Sequence, residues 1–192
     1  MKQKDFFNSI AANWDGTRES NHEKLQLLVQ KLGLNQEDQI LDLGSGTGVL
    51  LPYLASLVHS VTAVDFAENM LAISQEKHKQ FNNITYLVAD VEALPWAESS
   101  FHHIVCLNFF PHVARKEKFM EDMYKLLKVG GKLTIMHDIS RQAVNGIHGS
   151  CEQVQEDRLP PAAQTAQLLL QYNFTILVQE ENEHFYFVQG RK

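Results

Sequence analysis

Residues Ile40 to Gly48 read ILDLGSGTG, an acidic residue inside an apolar run that leads straight into glycines at 44, 46 and 48. Glycine has no Cβ, so such a turn lets bare backbone come close to a ligand. The spacing is G-x-G-x-G; the dinucleotide pattern G-x-G-x-x-G fails because position 49 is Val. Asp42 narrows the ligand further: a pyrophosphate would be repelled by it, whereas an ammonium group would be attracted. Two more carboxylates fall at the ends of later strand-like runs, Asp65 after VTAV and Asp90 after ITYLVA. A carboxylate at 65 can accept from two neighbouring hydroxyls at once, or cap a helix starting at Ala67. Histidine is abundant, with nine in the chain. His112, His137 and His148, with Asp138, could orient a nucleophile, take its proton or hold a metal. None of them shows a tight ligand spacing such as H-x-x-x-H, so no metal site is expected.

These residues need a frame that brings strand ends together, and the chain alternates strand and helix patterns as an α/β protein does. Strands are expected at Ile40 to Leu43, Val61 to Val64, Ile84 to Val88, Ile104 to Leu107 and Lys132 to Met136. Helices are expected from Leu25 to a stop at Gly33, then over Val49 to Ser60, Ala67 to Gln80, Lys116 to Leu127 and Ala162 to Tyr172. Phe174 to Val178 and His184 to Val188 suit a hairpin. A loop holds Pro95 and Trp96, and His102 and His103 read as surface residues ahead of the fourth strand. The result is an α/β fold with a largely parallel sheet. At 192 residues the size prior gives a single domain over 1–192. Within it, 1–33 forms a helical cover and the polar segment 138–161 a lid-like insertion.

Composition excludes several classes. A balance of 17 basic against 23 acidic side chains gives net charge −6, so no nucleic-acid partner is expected. Lys125, Lys128 and Lys132 read as a solvated helix end. No apolar run reaches the length of a membrane span, and MKQKDFFNSIAANWD lacks the apolar core of a secretory leader. Cys106 and Cys151 have neither metal-binding nor disulfide spacing. A cytoplasmic protein acting on a small molecule is the expectation.

On ILDLGSGTG, followed by Asp65 and Asp90 at successive strand ends, the chain resembles the class I S-adenosylmethionine-dependent methyltransferases. Their first motif is hh[D/E]hGxGxG, and the likeness is to the small-molecule, type 11-like members. The resemblance runs from about Ile40 to the carboxy terminus, and FFNSIAANWD resembles the helical cover that many such enzymes carry. It implies a Rossmann-like, seven-stranded, mostly parallel sheet with helices on both faces and an antiparallel last strand, and S-adenosyl-L-methionine as cofactor. Gly44, Ser45, Gly46 and Gly48 would meet its methionine portion, with Asp42 near the ammonium and Asp65 on the ribose hydroxyls. Phe66 and Met70 would pack on the adenine, Asp90 would accept from its amino group, and the Val91 amide would donate to the ring. Asn108 would reach the sulfonium region. The sequence Asn108-Phe109-Phe110-Pro111 departs from the [D/N]PP[Y/F] of the adenine- and glutamine-amino methyltransferases, which argues against DNA N-methylation. His112, His137 and His148, with Asp138, would form the acceptor pocket. Two other readings stay open: an NAD(P)-linked oxidoreductase, opposed by Val49 and Asp42, and a non-catalytic S-adenosylmethionine-binding protein, which would need no histidine-bearing pocket.

Overall fold

The computed structural model describes residues 3–17, 21–91 and 97–192. The chain divides into two compact units, Met1–Leu94 and Pro95–Lys192. The first holds α1 (Gln3–Ile10), two short 3-10 turns (Ala11–Asn13 and Asp15–Thr17), α2 (His22–Leu32), β1 (Gln39–Leu43), α3 (Leu51–Ala55), β2 (Ser60–Asp65), α4 (Glu68–Lys77) and β3 (Ile84–Val88). The second holds β4 (Phe101–Leu107), a 3-10 turn (Phe110–His112), α5 (Lys116–Leu126), β5 (Leu127–His137), α6 (Arg141–Gly149), α7 (Ala162–Gln171), β6 (Thr175–Glu181) and β7 (Tyr186–Arg191). The seven strands follow the order β3-β2-β1-β4-β5-β7-β6. This is the expected Rossmann-like class, mostly parallel, with β7 running antiparallel to both its neighbours.

In the first unit, β1 pairs with β2 and β2 with β3, all parallel. Ile40, Leu41 and Leu43 are completely buried, as a strand covered on both faces requires. Helix α2 buries Leu25, Leu28, Val29 and Leu32, one stripe at helical spacing. Asn21 caps it by accepting from the Lys24 amide at 2.9 Å. Gly33, at φ +64°, ends it as the sequence predicts. The helix after the glycine loop is shorter than Val49 to Ser60. The loop continues as turns, with Gly48 N–H donating to Ser45 O and Leu51 N–H to Gly48 O, and only Leu51–Ala55 closes into a helix.

In the second unit, β4 pairs parallel with β5, and β6 and β7 form the predicted hairpin. His102 and His103 do not precede the fourth strand: β4 starts at Phe101, and His103 is buried. The reason lies across the pair. Strand β5 starts directly after α5, so Leu127 pairs with Phe101 and Lys132 with His103, with a bulge between. The polar segment 138–161 contains helix α6, capped by Ser140, whose hydroxyl accepts from the Ala143 amide at 3.2 Å. Its apolar stripe is thin, with Val144 the one apolar side chain buried, so periodicity alone gives no helix there. The loop with Pro95 and Trp96 lies outside the described residues. Among the described residues no helix is long and apolar enough to cross a membrane.

Candidate active site

The first unit assembles its site around two carboxylates at parallel strand ends. Asp42 lies within β1 and is 2% exposed. Burial is the main force that pushes its carboxyl up from 3.8 to about 7; the Ser45 hydroxyl opposes the rise and the charge of Asp65 adds to it. A cationic group brought beside Asp42 would favour its charged form and be held by it. Asp65 ends β2, and its two oxygens do different things. Oδ2 accepts from the Gly46 amide at 2.9 Å and Oδ1 from the Ala67 amide at 2.8 Å. One carboxylate thus braces the glycine loop and starts α4, whose own cap residue Ala67 offers no side-chain oxygen. Both sequence readings of Asp65 are compatible, because a carboxylate can accept about four hydrogen bonds. The Ala89 amide donates to the Asp65 carbonyl at 3.0 Å, which sets the turn carrying Asp90 and Val91 next to the same strand end. Asp90 is exposed and Val91 half-buried.

The glycines have distinct jobs. Gly48 sits at φ +81°, and a Cβ there would fall 2.3 Å from Ser74 Oγ and 2.8 Å from His78 Cδ2. It is a packing glycine. Gly46, at φ +55°, faces outward, and the nearest atom to a Cβ would be Trp14 Nε1 at 4.0 Å. That tryptophan belongs to the amino-terminal segment. Phe7 meets Trp14 edge-on with centroids 5.8 Å apart and lies 5.9 Å from Phe66. Met70 is buried beneath this cluster with Ala11 and Ala67, so it is core in this structure, while Phe66 is half-buried at its margin. Sequence reasoning missed the polar half of the attachment. Asp15 accepts from Thr47 Oγ1 and from Lys77 Nζ, both at 2.6 Å, tying the segment to the glycine loop and to α4. Asn8 also accepts from the Asn69 amide at 2.9 Å. No local signal marks these residues, since their partners lie 32 to 62 positions away.

In the second unit, the end of β4 carries Asn108 at φ +55°, a conformation Asn tolerates better than most residues. Its Nδ2 donates to Asp138 Oδ1 at 2.8 Å, joining the ends of β4 and β5. His112 closes the 3-10 turn after β4, and its ring lies 5.0 Å from that of His148 on α6. A residue not singled out in the sequence completes this group: His112 Nδ1 is 2.6 Å from Asp157 Oδ2. His137 is set apart in character: it is 1% exposed, and its ring meets Tyr186 edge-on at 5.8 Å. Among the described residues, no group of three or more His, Cys, Asp or Glu could hold a metal ion. Tyr124 and Lys128 have the Tyr-x-x-x-Lys spacing of some oxidoreductases. Here Tyr124 packs edge-on to Phe174 at 5.2 Å, and Lys128 Nζ lies 3.3 Å from His102 Nε2.

Donor chemistry and backbone shape together fit S-adenosylmethionine. The loop bends at three glycines with positive φ, a carboxylate pinned by two amides stands at the second strand end, and the buried carboxyl at the first suits a cation. A methyltransferase-domain family model matches residues 41–135. Over 141 residues, 68% of this chain, the sequence is 30% identical to the ubiquinone/menaquinone biosynthesis C-methyltransferase UbiE of Klebsiella pneumoniae. The chain spans only about half the length of such relatives, 56% in that case. Among solved structures, an S-adenosylmethionine-dependent methyltransferase from Aquifex aeolicus superposes with a TM-score of 0.76 at 18% identity, covering 94% of this chain and 97% of that one. Phosphoethanolamine N-methyltransferase 2 of Haemonchus contortus, solved with S-adenosyl-L-methionine, gives a TM-score of 0.80 at 18% identity over 100% of this chain and 60% of that one. In its first motif, its fold and these matches, the chain is similar to the class I S-adenosylmethionine-dependent methyltransferases.

Proposed function

We propose that this protein binds S-adenosyl-L-methionine on its first unit and transfers the methyl group to a small molecule in the cytoplasm. The observation that carries the reading is the carboxylate pair: Asp65, fixed by the Gly46 and Ala67 amides, and buried Asp42 behind the glycine loop. Asp65 would hold the ribose hydroxyls, Asp42 the ammonium, and the loop backbone from Gly44 through Ser45 and Gly46 the methionine portion. Asp90 and the Val91 amide would take the adenine edge, with Phe66 against its face, and Asn108 the region of the sulfonium. The bound donor supplies a methyl group already activated by the positive charge on sulfur. The protein's share is then alignment, exclusion of water and, where the acceptor needs it, a base. His112 and His148 would meet the acceptor. The burial of His137 suits a supporting place behind it. The relative named for C-methylation in ubiquinone and menaquinone biosynthesis supports a small acceptor.

Calorimetric titration with S-adenosylmethionine, S-adenosylhomocysteine and NAD tests the reading. Micromolar binding of the first two without NAD is expected. NAD binding in their place would favour an oxidoreductase. Donor binding with no methyl product from a broad metabolite panel would favour a sensor.

A further inference from the structure

Asp157 stands at the centre of the histidine group in the second unit, and local structure holds it there. After α6, a run of turns folds the chain back: the Cys151 amide donates to His148 O, Val154 to Cys151 O, and Asp157 to Val154 O. The next residues are clamped to the helix, since Asn145 accepts from the Leu159 amide at 2.8 Å and donates to Leu159 O at 3.0 Å. Arg158 Nη1 donates to Asn145 O at 3.1 Å. From this position Asp157 meets both imidazoles, with different atoms. Its carboxylate Oδ2 is 2.6 Å from His112 Nδ1, and its backbone carbonyl is 2.5 Å from His148 Nδ1.

These partners decide which ring nitrogen carries the hydrogen. A carbonyl oxygen only accepts, so His148 Nδ1 must donate; an ionised carboxylate also only accepts, so His112 Nδ1 must donate as well. Each neutral ring therefore keeps its lone pair on Nε2. The two rings lie 5.0 Å apart, on either side of residue 157. The neighbouring cations are engaged by backbone oxygens: Lys116 Nζ donates to Val113 O at 2.9 Å, and Arg158 to Asn145 O. Side-chain exposure is 13% at His112 and 20% at Asp157, enough shielding to hold the pair together.

We propose that Asp157 is a positioning residue that holds His112 as a proton acceptor at Nε2, and that the methyl acceptor is accordingly a weakly acidic O–H or C–H compound. This rests on the methyl-transfer reading above. In the step, the acceptor's X–H bond breaks, its proton passes to His112 Nε2, and its electron pair forms the new X–CH3 bond. The S–CH3 bond breaks with its electrons left on sulfur, which gives neutral S-adenosylhomocysteine. The imidazolium is held against Asp157 until solvent takes the proton. An acceptor with no proton to lose, such as a tertiary amine, would have no use for this pair.

Long-range 1H–15N correlation spectra of the full chain test the first half without any acceptor. Wild type should show Nδ1–H at both His112 and His148. Asp157→Asn should move His112 toward Nε2–H while His148, bonded to the backbone of residue 157, stays as it is. Nε2–H at His112 in wild type overturns the proposal, and this result stands even if the variant fails to fold. The second half uses a panel of phenols and 1,3-dicarbonyl compounds beside tertiary amines, with S-adenosylmethionine as donor. Products are expected from the first two classes. Asp157→Asn should lower kcat at least tenfold with KM within about threefold. Products from tertiary amines alone, no product from the proton-losing classes, or an unchanged kcat in the variant overturns it. Failure of wild type to bind S-adenosylmethionine on calorimetry would instead sink the methyl-transfer reading and leave the tautomer result in place.

Discussion

Asp65 braces the backbone at two points with one side chain. Its carboxylate takes the Gly46 and Ala67 amides, so removing it frees two backbone donors as well as any ribose contact. Asp65→Ala should weaken S-adenosylmethionine binding by roughly 1.5–3 kcal/mol, the scale for hydrogen bonds to a charged group. Unchanged affinity on calorimetry would remove the ribose assignment. Gly48 makes the opposite case. A methyl at this position meets Ser74, which is fully buried, and must also adopt φ +81°. Gly48→Ala should therefore cost on the order of 1–3 kcal/mol of stability in urea unfolding, from backbone strain plus overpacking. Gly46→Ala carries strain without the clash and should cost less. The glycine spacing was legible in the sequence, but this division of labour was not, because it depends on Ser74 and His78, 26 and 30 positions on.

Among the elements, the amino-terminal segment has the most to gain from ligand. Helix α1 has no fully buried side chain. It is held by Phe7 and by Asn8, and the turns after it by Trp14 and Asp15. In the sequence, the resemblance of FFNSIAANWD to a helical cover pointed to such docking. The Asp15 bonds to Thr47 and Lys77 now place it on the glycine loop itself. If the segment closes over bound donor, S-adenosylmethionine should slow proteolysis within residues 3–17, and Asp15→Ala should abolish most of that protection. Equal cleavage with and without donor would show that the segment is only a staple. Helix α2 offers a simpler check of local energetics. Replacing its cap by Asn21→Ala removes the bond to the Lys24 amide and should lower stability by about 1 kcal/mol in urea unfolding.

At the scale of the whole molecule, the buried carboxyl of Asp42 links stability to pH. Its folded value, about 7, lies above the 3.8 expected when it is exposed. Between those values the folded chain keeps a proton that the unfolded chain has lost, so this group lowers stability as pH rises from about 4 to 7 and adds no slope above that window. Three units at 1.36 kcal/mol each make the effect on the order of 4 kcal/mol. Urea unfolding at pH 5 and pH 8 spans the upper two pH units of that window and should show roughly 3 kcal/mol of it as a loss in wild type that is absent in Asp42→Asn. A wild type and variant with the same pH dependence would place the carboxylate in contact with solvent or a cation. Much of this molecule could be read from its residues in order. Periodicity, glycine stops and the strand-end carboxylates gave the alternating elements, the parallel sheet and the cofactor motif, because those signals are local and repeat within a few residues. What needed three dimensions were pairings across long separations: Asp15 with Thr47, and Asp157 with His112. The sequence placed His102 and His103 on the surface and His137 beside His112. Strand register buried His103, and Tyr186 from a strand 49 residues later packs on His137. A residue's type states what it can do, but its partners are set by packing among elements distant in sequence.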